Sequence, residues 1–287
     1  MKINRLTVKS TGYPEVFKNL KGSPKQLFHT GAPLEDLLAR PRVTIVGSRN
    51  ATVYGQRVTQ ELASQLAEQG VVIISGLAVG VDAIAHQAAL NSGGICLAVL
   101  PSPLDNILPV GNQNLAKHIL NHGGALVSEY DSGDIPHRQN FIARNRIMSG
   151  LGQIVVVTDA AEKSGSLHTA RFANDQGVTV MAIPGRIYDA NSIGTNNLIR
   201  SGAGIVTSVE DILNELGLIR HETAAKKVRG RNKHEQTLLD LMLRGISEGE
   251  ELLDRSLLDV TEFNIALTML ELGGKIRPLG ANNWAIH

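Results

Sequence analysis

From residue 43 onward, short and almost continuously apolar runs alternate with amphipathic stretches. The runs are VTIVG (43–47), VVIIS (71–75), ICLAVL (95–100), ALVSEY (125–130), QIVVVTDA (153–160), VTVMAIPG (178–185) and GIVTS (204–208). A strand with one wet face alternates apolar and polar residues, whereas a strand covered on both faces does not. The pattern therefore predicts an α/β fold with a mainly parallel sheet and crossover helices on both sides. In the first crossover helix Val58, Leu62 and Leu66 recur every four residues while Gln60, Glu61, Gln65 and Glu68 face away. Gly70 stands where a left-handed residue closes such a helix, and Ser208 with Asp211 opens a later one at capping-box spacing.

Beyond residue 216 the periodicity stops. Between 217 and 235, Arg220, Lys226, Lys227, Arg229, Arg231 and Lys233 outnumber Glu222 and Glu235, which predicts a basic linker. A solvated tether is its simpler role and a DNA contact the alternative. From 236 to 287, TLLDLML, GEELLDRSLL and TEFNIALTMLEL, the last opened by Thr261, predict three helices, and GGKIRPLGANNWAI predicts a hairpin. That order describes a winged helix, with Phe263, Leu267 and Leu270 on one face of its third helix and Ile276 and Trp284 in the hairpin strands. The expected division is a lead-in segment (1–42) packing on the core domain, a parallel-sheet domain (43–216), the linker (217–235) and the winged helix (236–287).

A chain of 287 residues accommodates one large core plus a small second domain. With 43% hydrophobic and 19% charged residues it is neither disordered nor fibrous. The single cysteine, Cys96, lies within an apolar run and can form no intrachain disulfide, which fits a reducing cytoplasm. No segment approaches the roughly 18 apolar residues of a membrane span, and the start carries no signal-peptide pattern, so a cytoplasmic location without membrane contact is expected. A net charge of +1 leaves the local distribution to decide whether a polyanion is bound.

Open parallel sheets collect ligands at the carboxyl ends of their strands, so the loops after the apolar runs are where chemistry is expected. In GSRNATVYG (47–55), Gly47 and Ser48 end a strand, Arg49 projects from the turn and Gly55 lies near the next helix start. Backbone N–H groups, a helix dipole and a guanidinium make an anion site there, unless Arg49 only binds strand-end carbonyls. In SGLAVGVDAIAH (75–86), Gly76 and Gly80 allow close backbone approach, and Asp82 and His86 read as a helix-surface pair rather than an acid–base couple. In HRQNFIARNRIMSG (137–150), Arg138, Asn140, Arg144 and Arg146 surround Phe141 in a solvent-facing setting. Cations around an aromatic platform suit single strands. Arg144 and Arg146 read equally well as internal struts paired with sheet-end carboxylates such as Glu129. Within EKSGSLHTA (162–170), Lys163, Ser164, Gly165 and Ser166 lead into a helix whose start forms a phosphate nest.

Neither G-x-G-x-x-G nor G-x-x-x-x-G-K-[ST] nor H-E-x-x-H occurs, so no nucleotide cofactor or metal is expected. His118 and His122 have metal-ligand spacing without a third ligand, and suit the end of a helix before Gly123 and Gly124 instead.

In this order, IVGSRNATVYG, IISGLAVGVDAIAHQAAL, GGALVSEY, FIARNRIMSGLG, EKSGSLHTARFANDQG, AIPG and GTNNLIRSGA resemble the DNA-processing A (DprA/Smf) family over roughly residues 43–208. The resemblance implies an extended Rossmann-like, doubly wound domain, a homodimer formed through it, single-stranded DNA bound across a basic pocket, and no catalysis. It implies protection of incoming DNA and its delivery to the RecA recombinase, as in natural transformation. It also implies that Arg49, Arg138 and Phe141 contact DNA, and Gly47, Ser48, Asn140, Arg144, Lys163, Ser164, Gly165 and Ser166 complete the candidate surface. The N-terminal helical module of long members is expected to be absent, and Val79 stands where the family often has a basic residue.

Two other functions are compatible with an α/β fold of this kind. Phosphoribohydrolases of the lysine-decarboxylase-like group share a similar architecture, but their P-G-G-x-G-T-x-x-E stretch has no counterpart here. A duplex-binding regulator would use the winged helix, yet its third helix carries Glu262, Asn264 and Glu271 and neither arginine nor lysine.

Overall fold

Nine strands form one sheet in the first of two units, Met1–Ile219, of a computed structural model that describes residues 2–18, 22–219 and 230–286. The lead-in supplies β1 (Asn4–Thr7) and β2 (Gln26–Gly31). The apolar runs supply β3 (Arg42–Val46), β4 (Val72–Ser75), β5 (Cys96–Leu100), β6 (Ala125–Ser128), β7 (Ile154–Val157), β8 (Thr179–Ala182) and β9 (Gly204–Ile205). The order across the sheet is β1-β2-β6-β5-β4-β3-β7-β8-β9. β6 to β9 pair in parallel, and β1 and β2 add an antiparallel edge. The lead-in is thus part of the sheet and not merely packed on it. Its strand pattern is hidden in the sequence because His29 and Thr30 of β2 are buried although polar.

Successive strand residues point to opposite faces, and here both faces are covered. Ile45, Ile73, Ala98 and Leu126 meet α2 (Val53–Glu68), α3 (Val81–Asn91) and α4 (Gln113–Asn121). Val46, Ile74, Val99 and Val127 lie on the other face with α5 (Arg138–Leu151) and α6 (Ser166–Asp175). The remaining helices of this unit are α1 (Leu34–Leu38), α7 (Ile193–Arg200) and α8 (Val209–Glu215), numbered by their place in the chain. Local signals act as the sequence predicts. Gly70, with φ +75°, closes α2, and Ser208 and Asp211 form the capping box of α8. Cys96 is buried in β5, which pushes its thiol pKa far up and leaves it an inert apolar group.

The second unit, Arg220–His287, has helices Lys233–Leu243, Gly249–Ser256 and Val260–Leu272, then a hairpin of Ile276–Gly280 and Asn283–Ile286. Leu238, Leu252, Phe263, Leu270 and Ile276 form its core. The third helix is capped by Asp259, whose Oδ1 accepts from the Glu262 N–H at 2.8 Å, rather than opened by Thr261. Of the predicted basic linker, Arg220, Lys226, Lys227 and Arg229 lie outside the described residues. Among the described residues, no helix is long and apolar enough to cross a membrane.

Candidate functional site

From β3 the chain steps through β4, β5 and β6 in one direction, then returns to place β7, β8 and β9 on the other side of β3. Between β3 and β7 the connections therefore leave toward opposite faces and open a crevice at the carboxyl edge. A cleft of about 570 Å³ lies there. Gly47, Ser48 and Arg49 after β3, Arg138, Phe141 and Arg144 of α5, and Lys163, Ser164, Gly165 and Ser166 before and at the start of α6 all line it. Three loops far apart in sequence are thus brought together. Asn140 is not among the lining residues and is buried. Two positions beyond Arg138, it projects from a different side of α5.

On α5, Arg138, Phe141, Ile142 and Asn145 follow one another at i, i+3, i+4 and i+7, and this face lines the cleft. Asn145 is a further cleft residue, four positions beyond Phe141 on the same face, and its spacing is the sequence signal for it. Its Nδ2 donates to the Gly165 carbonyl at 3.3 Å and ties α5 to the loop before α6.

The glycines lock the loops to each other more than they open them to a ligand. Gly80 has φ +82°, and a Cβ there would strike the carbonyl oxygens of Ser48 and Arg49. Gly55 packs against the Asp159 carboxylate. That carboxylate accepts from Thr52 N at 2.7 Å and Thr52 Oγ1 at 3.0 Å. The start of α2, expected to be an anion site, is therefore taken by the chain's own Asp159. Burial raises the Asp159 pKa above the usual carboxylate value, and the Thr52 donors hold it back. With the start of α2 occupied, the groups lining the cleft that could meet an anion are Arg49, Arg138, Lys163 and the start of α6.

Arg144 resolves as a strut rather than an exposed contact. Its side chain occupies the space a Cβ on Gly76 would need, and the residue is only 4% exposed. Its Nη1 donates to the Gly76 carbonyl at 2.5 Å and to the Val99 carbonyl, and its Nε to Asn145 Oδ1 at 3.2 Å. Burial lowers its pKa to about 10, with Asp82 opposing and Arg49 adding to the shift, so it stays charged at neutral pH. Arg146 turns to Glu129, with Nη2 to Oε2 at 2.5 Å.

Asp82 and His86 are buried beside this strut and form no surface pair. Asp82 Oδ2 accepts from the Gly76 and Ala78 N–H groups at 3.1 and 3.4 Å. Burial raises its carboxyl pKa, while Arg144 and those donors act against the rise. Burial pushes the His86 imidazole down to about 3, and the Ser75 backbone offsets this only in part. The helix VDAIAHQAAL has alanine on several sides, so its inward face was not distinguishable by periodicity.

Of the cations lining the cleft, Arg49, Arg138 and Lys163 are exposed. None takes part in an ion pair among the described residues. The Arg49 guanidinium carbon lies 5.1 Å from the centroid of the Phe141 ring, a cation–π contact. The ring is half-buried rather than fully open to solvent, and Arg49 lies over it. Among the described residues, no group of three or more His, Cys, Asp or Glu side chains is placed to hold a metal.

The family model for DNA recombination-mediator protein A matches residues 4–217. The chain belongs to that family. The match runs from β1 past the end of α8, so every cleft residue of this mediator-family chain falls inside it, and the three helices and hairpin of the second unit fall outside. DNA processing protein DprA of Bacillus subtilis is 39% identical over 215 residues, covering 75% of this chain and 71% of the relative. Protein Smf of Escherichia coli is 46% identical over 175 residues, 61% of this chain and 47% of its own length. The X-ray structure of DprA from Streptococcus pneumoniae superposes with a TM-score of 0.69 at 38% identity, over 75% of this chain and 74% of the other. A structure of DNA processing protein A from Helicobacter pylori, described for its single-stranded DNA binding mode, gives 0.66 at 34% identity, over 75% of this chain and 95% of the other.

Proposed function

We propose that the cleft between β3 and β7 binds single-stranded DNA and that the chain acts as a recombination mediator, not as an enzyme. The observation that carries this reading is the Arg49 guanidinium lying on Phe141, flanked by exposed Arg138 and Lys163 without acidic partners. Such a set offers phosphate contacts and a stack for a base, and favours no base edge. The DNA binding described for the Helicobacter pylori relative supports it. On the enzyme reading, Asp82 lines the cleft but is buried and accepts from the Gly76 and Ala78 N–H groups, while His86 is buried and is not a lining residue, so the two do not make an acid–base couple facing the cleft. Delivery of the strand to RecA and dimerisation through the sheet unit belong to the same proposal, as does a winged-helix C-terminal unit. The third helix of that unit, without arginine or lysine, suits a structural or partner-binding role better than groove insertion.

Phe141→Leu tests the site, because leucine keeps much of the apolar volume and offers no stacking face. Melting should stay normal while oligonucleotide affinity falls by about 1–3 kcal/mol. Normal affinity with normal melting would remove Phe141 from the DNA site.

A further inference from the structure

The connection from β8 to α7, tied to the first turn of α2, leaves an apolar group uncovered. Tyr188 is 94% exposed and Ile187 76%, and from the first turn of α2 Val53 is 84% exposed and Tyr54 51%. Scattered exposed apolar residues need no explanation, but two tyrosines on interlocked loops beside a cleft do. The two loops are tied directly. Tyr54 Oη donates to the Pro184 carbonyl at 3.3 Å, and Asn191 Nδ2 donates to the Asn50 carbonyl at 3.0 Å. Asn50 is itself a cleft residue, next to Arg49. Arg186 is exposed in the same connection and has no ion-pair partner among the described residues, whereas Asp189 is engaged in accepting from the Asn191 N–H at 3.2 Å.

Resting on the reading of the cleft as a single-strand site, we propose that Tyr54, Arg186 and Tyr188 form a second segment of the nucleic-acid track. In it, bases leaving the cleft over Asn50 stack on the tyrosine rings and Arg186 takes a phosphate. Tyr54 fixes its hydroxyl and keeps half its surface open, and Tyr188 is almost wholly exposed, so both rings can meet a base face, and an adjacent unpaired arginine supplies the backbone contact. The continuity of the two loops, the unopposed arginine and the carboxyl-edge position favour a strand over a protein partner.

Binding of the full chain to oligothymidylates of about 5 and about 20 nucleotides separates the two segments, since sites of this kind span roughly 4–16 nucleotides. Tyr188→Ala and Arg186→Ser should each weaken the long oligonucleotide by about tenfold or more, and leave the short one within about twofold. Tyr188→Trp should keep the long-strand affinity, because any π-face serves, and its added fluorescence over the native Trp284 should be quenched by the long strand only. If Tyr188→Ala and Arg186→Ser bind both lengths as the wild type does, the track ends at the cleft and the proposal fails. It fails equally if Tyr188→Ala alters the sedimenting mass instead of DNA affinity, since the patch is then a contact between copies. Wild-type protein that binds neither length would overturn the cleft reading itself.

Discussion

Removing the guanidinium of Arg144 leaves the carbonyl oxygens of Gly76 and Val99 without their donor and buried Asp82 without its compensating charge. Arg144→Met should therefore destabilise the fold by about 3–5 kcal/mol in denaturant titration, the usual cost of breaking a buried charge arrangement. A variant that melts normally and loses only DNA affinity would return Arg144 to the contact surface. His86 supplies a second residue-scale test. Its ordinary pKa of 6.5 falls to about 3 in the fold, so between those values the unfolded chain binds a proton that the folded chain refuses. Its burial then contributes full stability above about pH 6.5 and loses it as pH falls toward 3. The melting temperature of the wild type should drop more steeply across that window than that of His86→Leu, and parallel pH profiles would show that His86 is not a source of the acid sensitivity.

At the scale of elements, the cleft depends on the turn before α3 lying against the backbone of Ser48 and Arg49. Gly80→Ala adds a Cβ at φ +82° where two carbonyl oxygens already sit, so it should lower stability by about 1–3 kcal/mol and displace Arg49 from Phe141. Lower DNA affinity with a lower melting point is the expected pair of readings, and an unchanged melting point would mean the two loops are not interlocked. The same elements show what the sequence could reveal. The parallel strands were legible because runs such as Cys96 to Leu100 are apolar and buried throughout, which is how a strand covered on both faces is written. β2 was not legible, since its buried His29 and Thr30 break the run. The three loops of the cleft were legible from the rule that ligands gather at carboxyl ends. Which of their residues face the cleft was not, because burial of Asn140 and Arg144 depends on how α5 rotates against the sheet. Occupation of the start of α2 by Asp159 is a contact across 107 residues that no local pattern carries.

At the scale of the whole molecule, a net charge of +1 supplies no general attraction for a polyanion. DNA affinity must come from the few exposed cations at the carboxyl edge, and this sets its salt dependence. If Arg49, Arg138 and Lys163 each neutralise one phosphate of a single strand, log affinity against log salt should slope at about −2. The most direct test of the account is to titrate the full chain with a short oligonucleotide, single-stranded and duplex, over a series of salt concentrations, beside Arg49→Glu and Arg138→Glu. The account predicts preference for the single strand, a slope near that value, and a loss of affinity for every base sequence alike in both variants with melting unchanged. Binding that ignores salt, prefers duplex, or survives both charge reversals would contradict it.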